Sequence, residues 1–407
     1  MTSDWQLLPF GDLTVNLDAV RVPVKKSDRR KGPYPYYGAS GIVDHVDGHL
    51  FDGEYLLLAE DGENLRTQQT PIAFLASGKF WVNNHAHIVQ GKAPHDTRFL
   101  MYALRHVDVR PYLTGSTMPK LTQSNMNRIL LPVPPPVEQR IIASILGSLD
   151  DKIDLNRRMN QTLEAMAQAL FRSWFVDFDP VRAKAEGRKP DGMDAETAAL
   201  FPRALVTSGT GEIPAGWRWQ PLDQVGTFLN GLALQRYPPK GQHSLPVLKI
   251  AQLRAGSLQG ADLASADVPS DYIIEDEDLV FSWSGSLLVS IWAGGRCALN
   301  QHLFKVDSPS FPQWFVHHWC LHHLPEFQRI AAAKATTMGH IQRHHLTQAM
   351  VAVPPEDLVR AGDSAIAPLW RRWLLNAQES RTLAALRDLL LPKLLSGEMR
   401  AGGRDAS

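Results

Sequence analysis

The densest run of metal-ligating side chains is His317-His318-Trp319-Cys320-Leu321-His322-His323. His318 and His322 stand four apart, a spacing that sets two ligands on one helix face. The matching helix of an internal repeat, Phe99-Leu-Met-Tyr-Ala-Leu104, holds no such ligands. The run therefore reads as a solvated or DNA-facing histidine surface, and no metal site is expected. Glu60, Asp61 and Glu63 have the composition of a nuclease carboxylate cluster, but no catalytic lysine follows at short range. Asp61-Gly62 is a common turn pair, so these acids read as turn residues. No GxxxxGK[ST] loop is available to cradle a nucleoside triphosphate, and no glycine-rich cofactor loop follows a strand. The nearest approach to an amino-methyltransferase motif, Asp177-Phe-Asp-Pro180, falls at the end of a long helical pattern. This chain carries no recognisable catalytic loop of its own.

The other candidate chemistry is charge and aromatic stacking. Forty-two Lys and Arg face forty-two Asp and Glu, a formal net charge of zero, where nucleic-acid binders usually carry a basic excess. The balance hides clusters. Lys25, Lys26, Arg29, Arg30 and Lys31 follow Arg21 with only Asp28 between them, and Tyr34, Tyr36 and Tyr37 come directly after. Asp44 to Glu63 holds seven acids and no Lys or Arg, and Asp271–Asp278 is acidic too. Lys334, His340, Arg343, His344 and His345 make a second basic stretch. Lys79 and Arg296 sit at equivalent places in two similar segments, Gly78–His85 and Gly295–His302. Lys120 and Gln123 match His340 and Arg343, with Gln342 beside them. Equivalent polar loops of this kind suit phosphate and base-edge contacts.

These residues sit in a unit written twice. Thr117-Met118 recurs as Thr337-Met338, Pro134-Pro135 as Pro354-Pro355, Asn156 as Asn376, and Thr162-Leu163 as Thr382-Leu383, all 220 positions apart. Earlier segments match with drifting offsets, for example Trp5 and Pro9 with Trp217 and Pro221, as insertions in loops produce. Each copy is thus a variable globular part followed by a part of conserved length. Short apolar runs between Gly and Asp turns, such as Tyr34–Gly38, Tyr55–Leu58, Val247–Ile250 and Leu279–Trp283, predict a mixed, β-rich variable part. One helix closes each, near Phe99–Leu104 and Phe315–Leu321.

The conserved parts read as long helices. Leu146, Leu149, Ile153, Asn156, Leu163 and Leu170 step by threes and fours, and Leu369, Trp373, Asn376, Leu383 and Leu390 do so in the second copy. Such steps form a coiled-coil seam, in which a polar Asn fixes register. The stretch Gln139–Phe175 would reach about 55 Å as a helix. Pro368 predicts that the regular second helix begins only there, and Pro392 predicts a kink or end near its close. Two cysteines, an N-terminus without a signal-peptide pattern and no run of eighteen apolar residues favour the cytoplasm.

Several stretches resemble the specificity subunits of type I restriction–modification systems. They are Tyr34-Pro-Tyr-Tyr-Gly-Ala-Ser-Gly-Ile-Val43, Leu50-Phe-Asp-Gly-Glu-Tyr-Leu56, Thr117-Met-Pro-Lys-Leu121 and Leu131-Pro-Val-Pro-Pro-Pro-Val-Glu-Gln-Arg140. Phe171-Arg-Ser-Trp-Phe-Val-Asp-Phe-Asp179 and Gly216-Trp-Arg-Trp-Gln-Pro-Leu222 extend the likeness along nearly the whole chain. The second copy departs from the pattern where Gly339 replaces Pro119 and where Val353–Val359 lacks the Glu-Gln pair of Glu138-Gln139.

The resemblance implies an α+β chain with two mixed α/β target-recognition domains, separated by two long antiparallel coiled-coil helices in a pseudo-two-fold repeat. The expected parts are domain 1 at 1–135, a central helix at 136–178 and a linker at 179–213. Domain 2 at 214–352, a C-terminal helix at 353–396 and a flexible tail at 397–407 complete it. It further implies a non-catalytic subunit that reads a split double-stranded DNA sequence. Two methylation subunits using S-adenosylmethionine, and motor-nuclease subunits using ATP and magnesium, are the implied partners; no membrane is involved. DNA contacts are expected from Lys25, Lys26, Arg29, Arg30, Tyr34, Tyr36, Lys79, Lys120, Gln123, Arg296, His340, Gln342 and Arg343. Two other readings stay open on residues alone: a self-sufficient methyltransferase or nuclease component, and a coiled-coil adaptor that binds only protein.

Overall fold

The computed structural model describes residues 5–68, 70–333 and 339–400. Lys334 of the basic stretch, the repeated Thr337-Met338 and residues 401–407 of the tail lie outside that range. The chain divides into two compact units, residues 1–153 with 382–407, and residues 154–381.

In the first unit, a six-stranded sheet runs in the order Thr14–Asn16, Ala86–Gly91, Phe51–Ala59, Ala73–Val82, Tyr34–Gly38, Gly41–Val46. Its pairings are antiparallel except that Tyr34–Gly38 runs parallel to Ala73–Val82. The helix Thr97–His106 starts where the Asp96 carboxylate accepts the Phe99 N–H at 2.9 Å, an N-cap that satisfies one orphan donor. Its six consecutive buried residues, Phe99 to Leu104, join Phe10, Leu56 and Leu131 in one core. Ile142 and Leu146 from the start of the first long helix, and Leu394 and Leu395 from the end of the last, enter the same core.

The second unit has two four-stranded sheets. One runs Thr227–Asn230, Leu303–Asp307, Leu279–Ser282, Leu288–Ile291, and the other Leu263–Ser265, Ser244–Leu248, Cys297–Leu299, Ile273–Ile274. Its aromatic core gathers Phe171, Phe175, Trp217, Trp314 and Phe315, with Phe175 lying 5.6–6.0 Å from the last three rings. Each globular part is closed in the same way, its first strand pairing antiparallel with the strand that precedes a long helix. Gln6–Pro9 pairs with Leu130–Val133 in one unit and Arg218–Pro221 with Met350–Val353 in the other. The repeat seen in the residues is therefore a repeat of hydrogen-bond register.

The long helices span Pro136–Phe171 and Glu356–Leu395. The first passes into a π-helical turn at Arg172–Val176, which ends the α-helix four residues short of Phe175. The second runs unbroken through Pro368, against the expectation that it begins there, and ends at Leu395, three residues after Pro392. Pro368 is exposed, while Ile366 and Leu374 on either side are buried. Burial of two such side chains, at about 1.5–3 kcal/mol each, offsets the roughly 3 kcal/mol that an interior proline costs.

Within the second unit the helices run antiparallel, since Asn156, Asn160 and Glu164 meet Glu379, Asn376 and Trp373 in falling order. Asn156 Nδ2 donates to the Asn376 carbonyl at 3.4 Å, so the two repeat-equivalent asparagines meet. Of the predicted seam, Leu146, Ile153, Asn156 and Asn376 are buried. Leu149, Leu163, Leu170, Leu369, Trp373, Leu383 and Leu390 are half-buried.

The linker expectation for 179–213 does not hold. Helices Asp179–Ala185 and Ala195–Leu200 and a hairpin of Leu205–Ser208 with Gly211–Pro214 fill it. Val181, Phe201 and Ile213 anchor these elements in the aromatic core. Glycines at 187, 192 and 211 adopt positive φ and mark turns between packed elements, not a flexible tether.

Candidate nucleic-acid interface

The two units build one backbone feature at matching places, and the repeat's polar residues collect around it. In the first unit Lys120 forms a β-bridge with Asp61, and the Gly62 N–H donates to the Pro119 carbonyl at 3.1 Å. In the second, His340 bridges Ser284, and the Gly285 N–H donates to the Gly339 carbonyl at 2.8 Å. Gly62 and Gly285 both have positive φ, +114° and +65°, where a side chain would be strained. A short helix follows each bridge, Gln123–Asn127 and Arg343–Gln348.

Around the first bridge the side chains are charged and paired. Glu60 accepts from Arg21 at 2.8 Å and meets Lys120 at 3.2 Å. His85 contacts Asp61 at 2.8 Å, and buried His87 joins Asp18 at 2.6 Å and the Leu121 carbonyl at 2.7 Å. Burial alone would raise the Asp18 carboxyl, but its bonds from His87 and the Ile88 N–H hold it below the ordinary range. Glu60 is likewise held low against burial by Arg21, His87 and Lys120. Around the second bridge the same places carry neutral and aromatic groups. Trp283 Nε1 donates to Asn230 Oδ1 at 2.8 Å, its ring stacks on Phe304 at 5.8 Å, and it lies 6.3 Å from His340. Ser284 Oγ meets His302 Nδ1 at 3.0 Å.

The predicted contact residues divide by placement. Lys25, Lys26 and Arg30 are exposed, and no ion pair engages them among the described residues. Lys79 is exposed beside the Gly78 turn. Lys120 keeps half its side chain in solvent, and Gln123 is exposed. Arg296 is exposed but paired with Glu275 at 2.7 Å. Gln342 caps the following helix, and Arg343 lies 5.9 Å over the Phe304 ring while donating to the Phe228 carbonyl. Tyr34 is half-buried and tilted against His49.

Tyr36 is a correction. It is 1% exposed, its hydroxyl accepts the Val24 N–H at 2.9 Å, and the Arg29 guanidinium lies 4.3 Å over its ring. Tyr36 therefore holds the basic loop in place and has no face left for a base. Arg29 is drawn inward with it and pairs with Asp44 at 3.1 Å.

The histidine run is a second correction. His317 and His318 are buried, His318 hydrogen-bonds the Trp314 carbonyl at 2.7 Å, and its ring stacks on Phe171 at 5.0 Å. Desolvation pushes His318 and His323 down to about 4, so both are neutral core aromatics. Among the described residues no group of three or more His, Cys, Asp or Glu is placed to hold a metal ion. The 3.6-residue period places these histidines on the inward face, and the aromatic neighbours were the available signal. Glu60 and Asp61, which read as turn residues in the sequence, border the Gly62 turn and also carry the ion pairs to Arg21, Lys120 and His85. His302 was within reach of the Gly78–His85 and Gly295–His302 match.

The architecture defines a class: a chain with two related α+β units, each closed onto a long helix and each presenting a polar bridge of like geometry. Comparison with known proteins narrows it. The family described as the type I restriction modification DNA specificity domain matches residues 2–165. The MjaIX specificity subunit of Methanocaldococcus jannaschii is 27% identical over 354 residues, covering 83% of this chain and 78% of that protein. The HindI specificity subunit of Haemophilus influenzae is 25% identical over 405 residues, covering 86% and 84%. A crystal structure of a type I restriction-modification S subunit from M. genitalium shares the fold at a TM-score of 0.56, with 14% identity and 96% of each chain covered. Over most of its length the chain is similar to type I restriction–modification specificity subunits, and its first 165 residues carry the match to their DNA specificity domain.

Proposed function

We propose that this chain selects the DNA sequence on which a type I restriction–modification complex acts, each unit reading one part of a split target. The observation that carries this reading is the pair of equivalent bridges, Asp61 with Lys120 and Ser284 with His340, dressed with different side chains. A repeated backbone sets two similar reading positions, and side-chain differences let them discriminate different bases. Lys25, Lys26 and Arg30 supply phosphate contacts, whose released counterions make affinity fall with salt.

The chain acts without chemistry of its own. Methylation of adenine falls to two partner subunits that bind S-adenosylmethionine, and cleavage to motor subunits that use ATP and magnesium, in the cytoplasm where the DNA is. Among the described residues no helix is long and apolar enough to cross a membrane. The test is to co-express the chain with its methylation subunits and map modified adenines across a genome. One split motif shared by the modified sites is expected. Modification without sequence preference refutes the reading, and turnover by the isolated chain with S-adenosylmethionine refutes its non-catalytic part.

A further inference from the structure

One side-chain motif survives around both bridges while its surroundings change. In the matched segments Gly78–His85 and Gly295–His302, Asn83 corresponds to Asn300 and His85 to His302. The Asn83 N–H donates to the Tyr37 carbonyl at 2.9 Å, and Asn83 Oδ1 accepts the His85 N–H at 2.8 Å. The Asn300 N–H donates to the Leu248 carbonyl at 3.3 Å, and Asn300 Oδ1 accepts the His302 N–H at 3.2 Å. Both asparagines are buried. Each histidine carbonyl then accepts from the residue before the bridge, from the Glu60 N–H at 2.9 Å and from the Trp283 N–H at 3.4 Å. Each histidine ring turns Nδ1 to the bridge residue itself, to Asp61 at 2.8 Å and to Ser284 Oγ at 3.0 Å.

The turn explains the asparagine, whose side chain accepts from the backbone two residues on. It does not explain the histidine, because a backbone N–H and carbonyl are common to most residues. The Nδ1 contact fixes the ring and leaves Nε2 as the edge still to be used. His85 keeps 53% of its side chain in solvent, and no bond engages its Nε2 among the described residues. His302 is half-buried, and its Nε2 lies 3.4 Å from the Gln301 amide nitrogen, beyond the usual 2.7–3.2 Å of such bonds.

Around these rings Glu60 gives way to Trp283 and Asp61 to Ser284, as reading of unlike bases requires. A side chain kept through that exchange serves something both half-targets share, and all sequences share the sugar–phosphate backbone. We propose that His85 and His302 each donate from Nε2 to a DNA phosphate oxygen beside the bases read at the bridge. The proposal rests on the DNA-reading function above and adds a contact common to its two halves. The two anchors permit it by different routes. The Asp61 carboxylate only accepts, so it takes the Nδ1 proton, and His85 donates from Nε2 as the imidazolium, a charge-assisted bond. The Ser284 hydroxyl can donate to His302 Nδ1, which leaves the proton on Nε2 of a neutral ring.

The test uses the full chain assembled with its methylation subunits, bound to a duplex carrying its mapped target and to an unrelated duplex. His85→Asn and His302→Asn keep a nitrogen near the place of Nδ1 and lose the outer edge. Each should weaken binding about 5- to 10-fold on both duplexes alike, the size of one hydrogen bond to a charged group at a half-exposed site. His85→Gln and His302→Gln, whose amide reaches toward the place of Nε2, should recover most of that loss. The motif of modified sites should stay that of the unaltered chain. A motif relaxed at one position would make the histidine a base reader and overturn the proposal. Unchanged affinity in the Asn variants overturns it too. So does loss in the Gln variants with a lowered Tm while the Asn variants bind normally, since that outcome confines the histidine to anchoring the turn. Modification without any shared motif by the unaltered complex counts against sequence reading alone, and the affinities still decide the phosphate contact.

Discussion

Replacing Asp150 tests whether the first unit's helix junction is held by charge. Its carboxylate meets three donors from two helices: Tyr102 Oη at 2.7 Å and Arg105 at 3.5 Å from Thr97–His106, and Arg387 at 2.6 Å from Glu356–Leu395. The Arg105, Asp150 and Arg387 side chains keep only 20%, 23% and 24% of their surface in solvent. Removing one member of a fully buried pair costs about 3–5 kcal/mol, because the partner charge is left uncompensated. The residual solvent contact relieves part of that, so Asp150→Ala should destabilise the first unit by about 2–3 kcal/mol. Asp150→Asn keeps an acceptor but loses the charge and should cost about 1–2 kcal/mol. A chain with two compact units need not unfold in one step, so hydrogen exchange of amides in Thr97–His106 under increasing denaturant is the appropriate readout. The second unit, which has Trp370 at the equivalent place, should be unaffected. A change below about 0.5 kcal/mol, the range of ordinary surface substitutions, would show that the cluster is incidental to the junction.

Three further expectations address other parts of the molecule. Lys120→Ala and Arg343→Ala should each weaken DNA binding by the assembled complex and lower the slope of log affinity against log salt by about 1; unchanged slopes would take both residues off the DNA. Asn156 and Asn376 are 1% exposed and each leaves its Oδ1 unpaired. Replacing both with Leu should raise stability by about 1–3 kcal/mol while loosening register, read by denaturation and by light scattering for altered association. His318 and His323 titrate near 4 in the folded unit against 6.5 in a free side chain, so below 6.5 the unfolded chain binds the extra protons. Their contribution is complete above pH 6.5 and is lost as pH falls toward 4, about 1.4 kcal/mol per pH unit for each histidine. The second unit should therefore unfold more readily at pH 5 than at pH 7, and His318→Phe should flatten that dependence.

What the residues reveal most directly is whatever repeats with fixed length. The 220-residue spacing and the threes-and-fours of Leu146 to Leu170 locate both helices because a helix admits no insertion without rotating its buried face. The closing strand pairs follow from the same constraint. Pro368 does not begin the second helix, because burial of Ile366 and Leu374 on either side offsets the local cost of the proline. Glycine was misleading between 179 and 213, since a positive φ serves a tight turn between packed helices as well as a tether. The candidate interface was half legible. Lys120 and His340 are fixed by the repeat, but whether a nearby tyrosine faces out or in depends on sheet register, and Tyr36 falls on the inward side. Clustered histidines pose the same problem, because composition indicates a surface while the helical period turns His317 and His318 into the core.

The two units differ most where their backbones agree best. At the bridges, Glu60 and Asp61 stand against Trp283 and Ser284; at the helix junctions, Asp150 and Arg387 stand against Trp370 and Ala167. In both places the first unit uses paired charge and the second uses aromatic rings with neutral polar groups. A duplicated scaffold under selection for one function at both ends would keep its side chains as well as its register. Keeping register while exchanging charge for aromatic surface is what a reader of two unlike half-sequences requires, because like surfaces would select like bases. What distinguishes the two units is therefore local: exposed Lys25, Lys26 and Arg30 on one, and Trp283, His340 and Arg343 around the bridge on the other.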